Sequence, residues 1–219
     1  MYNDRGVLFK FNTEAGRREF KKVQTARIGI AGAGGLGSNL ALNLVRVGFT
    51  RLTIVDFDRI EPGNLDRQFY FFDQIGHNKV EALSVNLLRI NSRLELKVIS
   101  KKIEARDVLE LFGDCDAVAE CFDKAEFKSM LVSNLLAMDT FIVAVSGLGG
   151  IGASDDIRVH KVKRNLVLIG DLTSDISGKP ALSPRVNIAA AKEADAILEH
   201  VIGLDMSDFK EIKKSQKRG

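Results

Sequence analysis

The sequence predicts an α/β domain built on a mostly parallel sheet, with helices on both faces and an antiparallel C-terminal extension. Three observations predict it. From about Glu14 to Val145, apolar runs of strand length alternate with amphipathic runs of helical length, the pattern of parallel strands covered by helices. A glycine-rich turn, Gly32 to Gly37, stands directly between the first strand and the helix that follows. After Val145 come Gly147, Gly149, Gly150 and Gly152, then two short apolar runs joined by a charged turn, which read as an antiparallel addition to the sheet.

Taken in order, a helix over about Glu14–Gln24 precedes a strand at Arg27–Ala31, and the glycine turn opens a helix running to about Val47. A second strand, Arg51–Val55, ends at Asp56, and an irregular segment covers Phe57 to His77. The helix Asn78–Asn91 places Val80, Leu83, Leu87, Leu88 and Ile90 near helical period. Strands are expected at Leu94–Ile99, Ala117–Glu120 and Phe141–Val145, with helices at about Arg106–Phe112 and Ala125–Met138 between them. Ile157–Val162 and Leu166–Ile169 form the added pair, Asp171–Ser183 is a polar loop, and Pro184 starts a last, alanine-rich helix to about Val201.

With 219 residues, 45% hydrophobic and 28% charged, the chain is expected to be one folded domain: a core over about 16–201 and a basic tail over 205–219. The formal charge of +3 belongs to the tail, because without the last ten residues there are 27 basic and 28 acidic groups. A basic face for nucleic acid is therefore not indicated, and 7% aromatic residues with no tryptophan argue against stacking on bases. The uncharged stretch Ile28–Val45 contains five glycines together with Ser38, Asn39 and Asn43, so it is not a membrane helix. The N-terminal Met1 to Lys10 has no secretory pattern, and two cysteines without one point to a reducing, cytoplasmic setting. Cys115 and Cys121 flank a strand and are expected to lie about 20 Å apart, too far to pair.

Gly32, Gly34 and Gly37 satisfy G-x-G-x-x-G directly after a strand and at a helix start, a Rossmann-like context. Glycine allows the tight turn and close backbone approach, and the helix N-terminus then offers amides to a phosphate. Asp56 lies 19 residues beyond Gly37 at the end of the second strand, where a carboxylate accepts hydrogen bonds from ribose hydroxyls. These features fit NAD as well as ATP.

The run from Asp56-Phe-Asp58 through Asn64-Leu-Asp-Arg67-Gln68, with Gly76-His-Asn-Lys79 after it, is more specific. With Gly32-Ala-Gly-Gly35-Leu-Gly-Ser38 and Asp114-Cys-Asp-Ala-Val-Ala-Glu-Cys-Phe-Asp123, it resembles the ThiF/MoeB/HesA family of ubiquitin-activating-type adenylyltransferases, over about Gly16 to Val201. The Glu61-Pro62 pair, the segment after Asp123 and Pro184-Arg-Val are most similar to the family's short ThiF-type members, which activate the sulfur carrier ThiS for thiazole synthesis. The resemblance implies ATP and Mg²⁺ as cofactors, with Arg67 and Lys79 on the phosphates, Asn64 and Gln68 beside them, Asp56 on the ribose and Asp123 on the metal. Gly32, Gly34, Gly35, Gly37 and Asp58 complete the nucleotide cradle it implies. Charge cancellation suits the chemistry, since an anionic carboxylate must meet an anionic α-phosphate. Each residue also has a plain reading: Arg67 and Lys79 as solvated charges, Asp58 as a turn residue, Asp123 as a helix N-cap.

Implied partners are a ubiquitin-like carrier ending in Gly-Gly, an external sulfur donor and a second copy of the chain in a homodimer. An arginine reaching the neighbour's ATP would be Arg5, Arg17 or Arg18. Departures from the family pattern are Lys124 where Asn is common and Gly63 where Ser is usual. Two cysteines cannot build the family's four-cysteine zinc site, so no zinc is expected. The loop Leu172–Ser183, where thioester-forming relatives carry a cysteine, has none, and Cys115 and Cys121 are read as structural. The scattered His77, His160 and His200 suggest no metal or acid–base cluster, although His77 stands near Lys79. Competing readings are a tRNA-base adenylating dehydratase of the same family and a non-catalytic nucleotide-binding adaptor. A hydride-transferring dehydrogenase ranks last.

Overall fold

The computed structural model describes residues 14–138, 140–175 and 178–203, so Arg5 and the basic tail lie outside the described residues. Helix α1 (Glu14–Thr25) is followed by β1 (Arg27–Ala31), α2 (Gly35–Val47), β2 (Arg51–Val55), α3 (Lys79–Leu88), β3 (Glu95–Ile99), α4 (Val108–Phe112), β4 (Ala117–Glu120), α5 (Ala125–Leu136), β5 (Phe141–Val145), β6 (Arg158–Lys163), β7 (Leu166–Gly170) and α6 (Ser183–Ile202). The irregular segment after β2 holds two 3-10 turns, Pro62–Asn64 and Phe72–Gln74.

The strands form one sheet in the order β3-β2-β1-β4-β5-β7-β6. All neighbours are parallel except β6 and β7. The added pair therefore contributes a single antiparallel strand, because β7 itself runs parallel to β5. Strands β4 and β5 are buried along their whole length, as expected between two helical layers, whereas β6 at the edge is almost wholly exposed and carries Arg158, Lys161 and Lys163.

Alternate residues face two cores. Ile28, Ile30, Ala117, Ala119, Val143, Val167 and Ile169 pack with Leu40 and Leu44 of α2, Leu83 and Leu87 of α3, and Ala190 and Ile197 of α6. On the other face, Val118, Ile142 and Leu166 pack with Leu111 and Phe112 of α4 and Leu131 and Leu135 of α5. Gly29 belongs to this second face, where an added Cβ would sit 2.6 Å from the Phe112 ring. Among the described residues no helix is long and apolar enough to cross a membrane.

The strand order reverses direction between β1 and β4, which opens a crevice beyond their carboxyl ends, where open α/β sheets place their ligands. Gly32 follows β1, Asp56 follows β2 and Asp123 lies three residues past the end of β4, so the sheet delivers the expected site residues to one edge.

Candidate functional site

The glycine turn is a tight backbone crossing. Gly32 has φ 103°, and its N–H donates to Val55 O at 2.8 Å, holding the end of β1 to that of β2. An added Cβ on Gly32 would lie 2.9 Å from Cys121 O, and one on Gly37 would drive into the carbonyl oxygen of Gly32. Helix α2 begins at Gly35 behind Gly34, with no side-chain cap, so its first amides are left open at the crevice.

Asp56 organises this turn with both oxygens. Oδ2 accepts the Ala33 N–H at 2.6 Å and Oδ1 accepts the Asp58 N–H at 2.8 Å, leaving further lone pairs for a ribose hydroxyl. The Tyr70 hydroxyl, buried, donates to Ala33 O at 2.6 Å. Burial, followed by the charges of Asp56 and Asp58, pushes that phenol far above its ordinary range, so it stays a neutral donor. Buried Asn39 donates to Gly35 O at 2.7 Å and Arg67 O at 2.9 Å, while Ser38 Oγ accepts the Phe69 N–H at 3.0 Å. Residues 67–70 are thereby stitched to the glycine turn and the start of α2. Sequence reasoning missed Ser38, Asn39 and Tyr70, though the first two stand at the start of the helix it had placed.

Lys79 opens α3 and is buried, with its Nζ 2.8 Å from Asp58 Oδ2 and its N–H on Asp58 O at 3.0 Å. The plain reading of Lys79 as a solvated charge therefore fails. The aliphatic stem of Arg67 passes beside Gly35, where an added Cβ would lie 3.6 Å from its Cγ, and its Nη1 rests on Asp66 Oδ1 at 2.7 Å and Gly63 O at 3.2 Å. Gln68 presents Nε2 towards Gly34, and its buried Oε1 has no hydrogen-bond partner among the described residues. Asn64 is a local cap, with Oδ1 accepting the Glu61 N–H at 3.0 Å and its carbonyl accepting the Gln68 N–H at 2.9 Å.

Asp123, three residues past the end of β4, is exposed and without a hydrogen bond among the described residues, while Lys124 takes the N-cap position of α5. A bare carboxylate of this kind fits Mg²⁺, which is held by one or two carboxylates together with substrate phosphates. Cys121 does not share the exposure of Asp123. Its thiol is buried and points to Glu193 Oε1 at 4.0 Å. Burial and then the Glu193 and Glu120 carboxylates raise the Cys121 thiol well above its ordinary value, and burial with Asp114 and Asp116 pushes Cys115 up to about 12. Neither is a thiolate at neutral pH.

The loop beyond β7 is anchored by two residues that the sequence did not join to each other. Buried Arg185 donates to Leu148 O at 3.0 Å, Gly152 O at 2.6 Å and Asp171 Oδ2 at 2.6 Å. Burial opposes ionisation of Asp171, but the Ser174 and Thr173 N–H groups and Arg185 outweigh it and hold the carboxyl well below its usual range. A cavity of about 420 Å³ opens here, lined by Gly149, Gly150, Asp175, Lys179 and Arg185 among others.

Residues 9–154, two thirds of the sequence, match the family model described as the ThiF family. The chain belongs to the ThiF family. Relatives of this ThiF-family chain include SUMO-activating enzyme subunit 2 of Dictyostelium discoideum, 29% identical over 150 residues covering 68% of this chain and 23% of the relative. The molybdopterin-synthase adenylyltransferase of Haemophilus influenzae is 30% identical over 112 residues, 51% of this chain and 46% of the relative. The chain thus spans between 23% and 46% of the length of these two relatives. In fold it is similar to the E. coli tRNA N6-threonylcarbamoyladenosine dehydratase TcdA, solved in complex with AMP, with a TM-score of 0.81, 18% identity and coverage of 90% of this chain and 93% of that one. E. coli MccB, solved with ATP, gives a TM-score of 0.68 at 23% identity, covering 86% of this chain and 60% of that one.

Proposed function

We propose that this ThiF-family chain adenylates the C-terminal carboxylate of a small ubiquitin-like sulfur carrier ending in Gly-Gly, of the ThiS type, in thiamine thiazole synthesis. The observation that carries the reading is the buried Lys79 ammonium on Asp58, a residue tied through Asp56 to the glycine turn where the Arg67 stem passes Gly35 and the first amides of α2 are uncapped. Two cations and a helix N-terminus suit a triphosphate, whose oxygens would replace Asp58 and Asp66 as partners of Lys79 and Arg67, whereas a dinucleotide needs one pyrophosphate site.

In the proposed reaction a carrier carboxylate oxygen forms a bond to the α-phosphorus of ATP, the bond to the β-phosphate oxygen breaks, and pyrophosphate leaves without net proton transfer. Arg67 and Lys79 offset the anionic charge of both partners, and Asp56 with the glycine turn orients the nucleotide. Asp123 would hold Mg²⁺, whose charge supplies further stabilisation of the phosphates. Both thiols are buried and protonated, which supports release of the adenylate to an external sulfur donor. A homodimer with an arginine shared across the interface belongs to this reading, and Arg17 and Arg18 stand on the exposed surface of α1.

Thermal denaturation with nucleotides tests it: MgATP should stabilise the protein and NAD should not, and equal stabilisation by NAD contradicts the reading. A second reading, a dehydratase that adenylates a modified tRNA base, is favoured by the 90% and 93% mutual coverage with TcdA. Salt-dependent binding of tRNA separates the two.

A further inference from the structure

Glu120 is the last residue of β4 and its side chain is fully buried, a costly place for a carboxylate. Two donors hold it through three contacts. Lys128 Nζ approaches Oε2 at 3.0 Å and Oε1 at 3.3 Å, and Oε1 also accepts the Phe122 N–H at 2.7 Å. That amide immediately precedes Asp123. Lys128, in the first turn of α5, donates to Val145 O at 3.2 Å as well, so one ammonium joins the end of β4, the start of α5 and the end of β5.

The same turn is fixed from its other sides. Cys121 N–H donates to Ala31 O at 2.9 Å, next to Gly32, and the Phe127 and Lys128 N–H groups both donate to Lys124 O at 3.1 Å. The residues on either side of Asp123 are thus tied down, while Asp123 itself is exposed and makes no hydrogen bond among the described residues. A simple structural ion pair gives no reason for this location, since a buried pair is generally no more stabilising than apolar residues of similar volume.

We propose that Glu120 and Lys128 are positioning residues, a buried brace that holds the Phe122–Lys124 turn so that Asp123 meets the metal-bound nucleotide. This rests on the adenylation reading above, and specifically on Asp123 as the metal's carboxylate. Groups that orient a metal ligand typically change metal affinity or activity by about 10–100-fold when removed.

The experiment measures thermal stabilisation of the whole chain by ATP across a Mg²⁺ titration, a binding readout that needs no turnover. Wild type, Asp123→Asn, Lys128→Met, Lys128→Arg and the double variant Glu120→Leu/Lys128→Met are compared. The double variant leaves no unpaired buried charge and so keeps the test valid if Lys128→Met does not fold. In the double variant the Mg²⁺ concentration giving half the metal-dependent stabilisation should rise about 10-fold or more, stabilisation by ATP in EDTA should be unchanged, and Lys128→Arg should restore the wild-type midpoint. A midpoint within twofold of wild type in the double variant, with Asp123→Asn shifted, overturns the brace alone. No shift in Asp123→Asn overturns the underlying assignment of Asp123.

Discussion

Replacing Glu193 with methionine should stabilise the protein, and by more as the pH rises. Glu193 lies on α6 with no exposed surface, its Oε2 has no partner among the described residues, and its Oε1 has only the Cys121 thiol at 4.0 Å. An orphaned buried polar atom costs about 1–3 kcal/mol. Burial, and then repulsion from Glu120, push the Glu193 carboxyl well above its ordinary value of 4.5, with Lys128 opposing. The folded chain therefore holds a proton that the unfolded chain releases above pH 4.5. Stability is full below that pH and falls as the pH climbs towards the folded-state value, by up to about 1.4 kcal/mol per pH unit. Methionine fills a similar volume without either cost, and the thiol loses only a weak acceptor. Urea unfolding of Glu193→Met should show a gain of about 2 kcal/mol or more at pH 8, worth roughly 4–8 °C for a domain of this size. The gain should shrink towards pH 5. A variant less stable than wild type at pH 8, or a margin independent of pH, would refute the reasoning.

Two further outcomes follow from the site. Asp123→Asn should keep measurable ATP binding and lower carrier adenylation by about 10²–10³-fold; near-normal pyrophosphate exchange would move the metal to another ligand. Cys115→Ser and Cys121→Ser, singly and together, should retain adenylation, because both thiols are buried and protonated. A hydroxylamine-cleavable carrier conjugate present in wild type and lost in Cys121→Ser would show that this thiol is reached after all.

Elements with a local signature were legible in the sequence. The apolar runs gave the seven strands found among the described residues within a residue or so at each end, and the G-x-G-x-x-G spacing located a turn in which Gly37 has no room for a Cβ. Asp56 was legible as a site residue but not as the acceptor for Ala33 and Asp58, since that depends on how the turn folds back. Lys79 was legible through the resemblance as a phosphate contact but its burial was not, because nothing in the sequence tells that α3 starts beneath Asp58. Glu120, Lys128 and Glu193 are scattered over 74 positions and meet only once β4, α5 and α6 pack together, so no window of sequence could join them. Arg185 and Asp171 are the same case: each sits in a loop-and-helix start that reads as polar surface until the chain closes. The parallel course of β7 was hidden because a short turn between two strands is equally visible whichever neighbour the second strand joins.

The central claim is that the crevice activates a carrier's carboxylate with ATP. Its most direct measurement is exchange of labelled pyrophosphate into ATP, with purified ubiquitin-like carriers added one at a time. The account predicts Mg²⁺-dependent exchange that requires a carrier with an intact Gly-Gly terminus and falls by about 10²-fold or more in Lys79→Met. Exchange that proceeds equally with a carrier lacking that terminus, or that survives Lys79→Met undiminished, would contradict it.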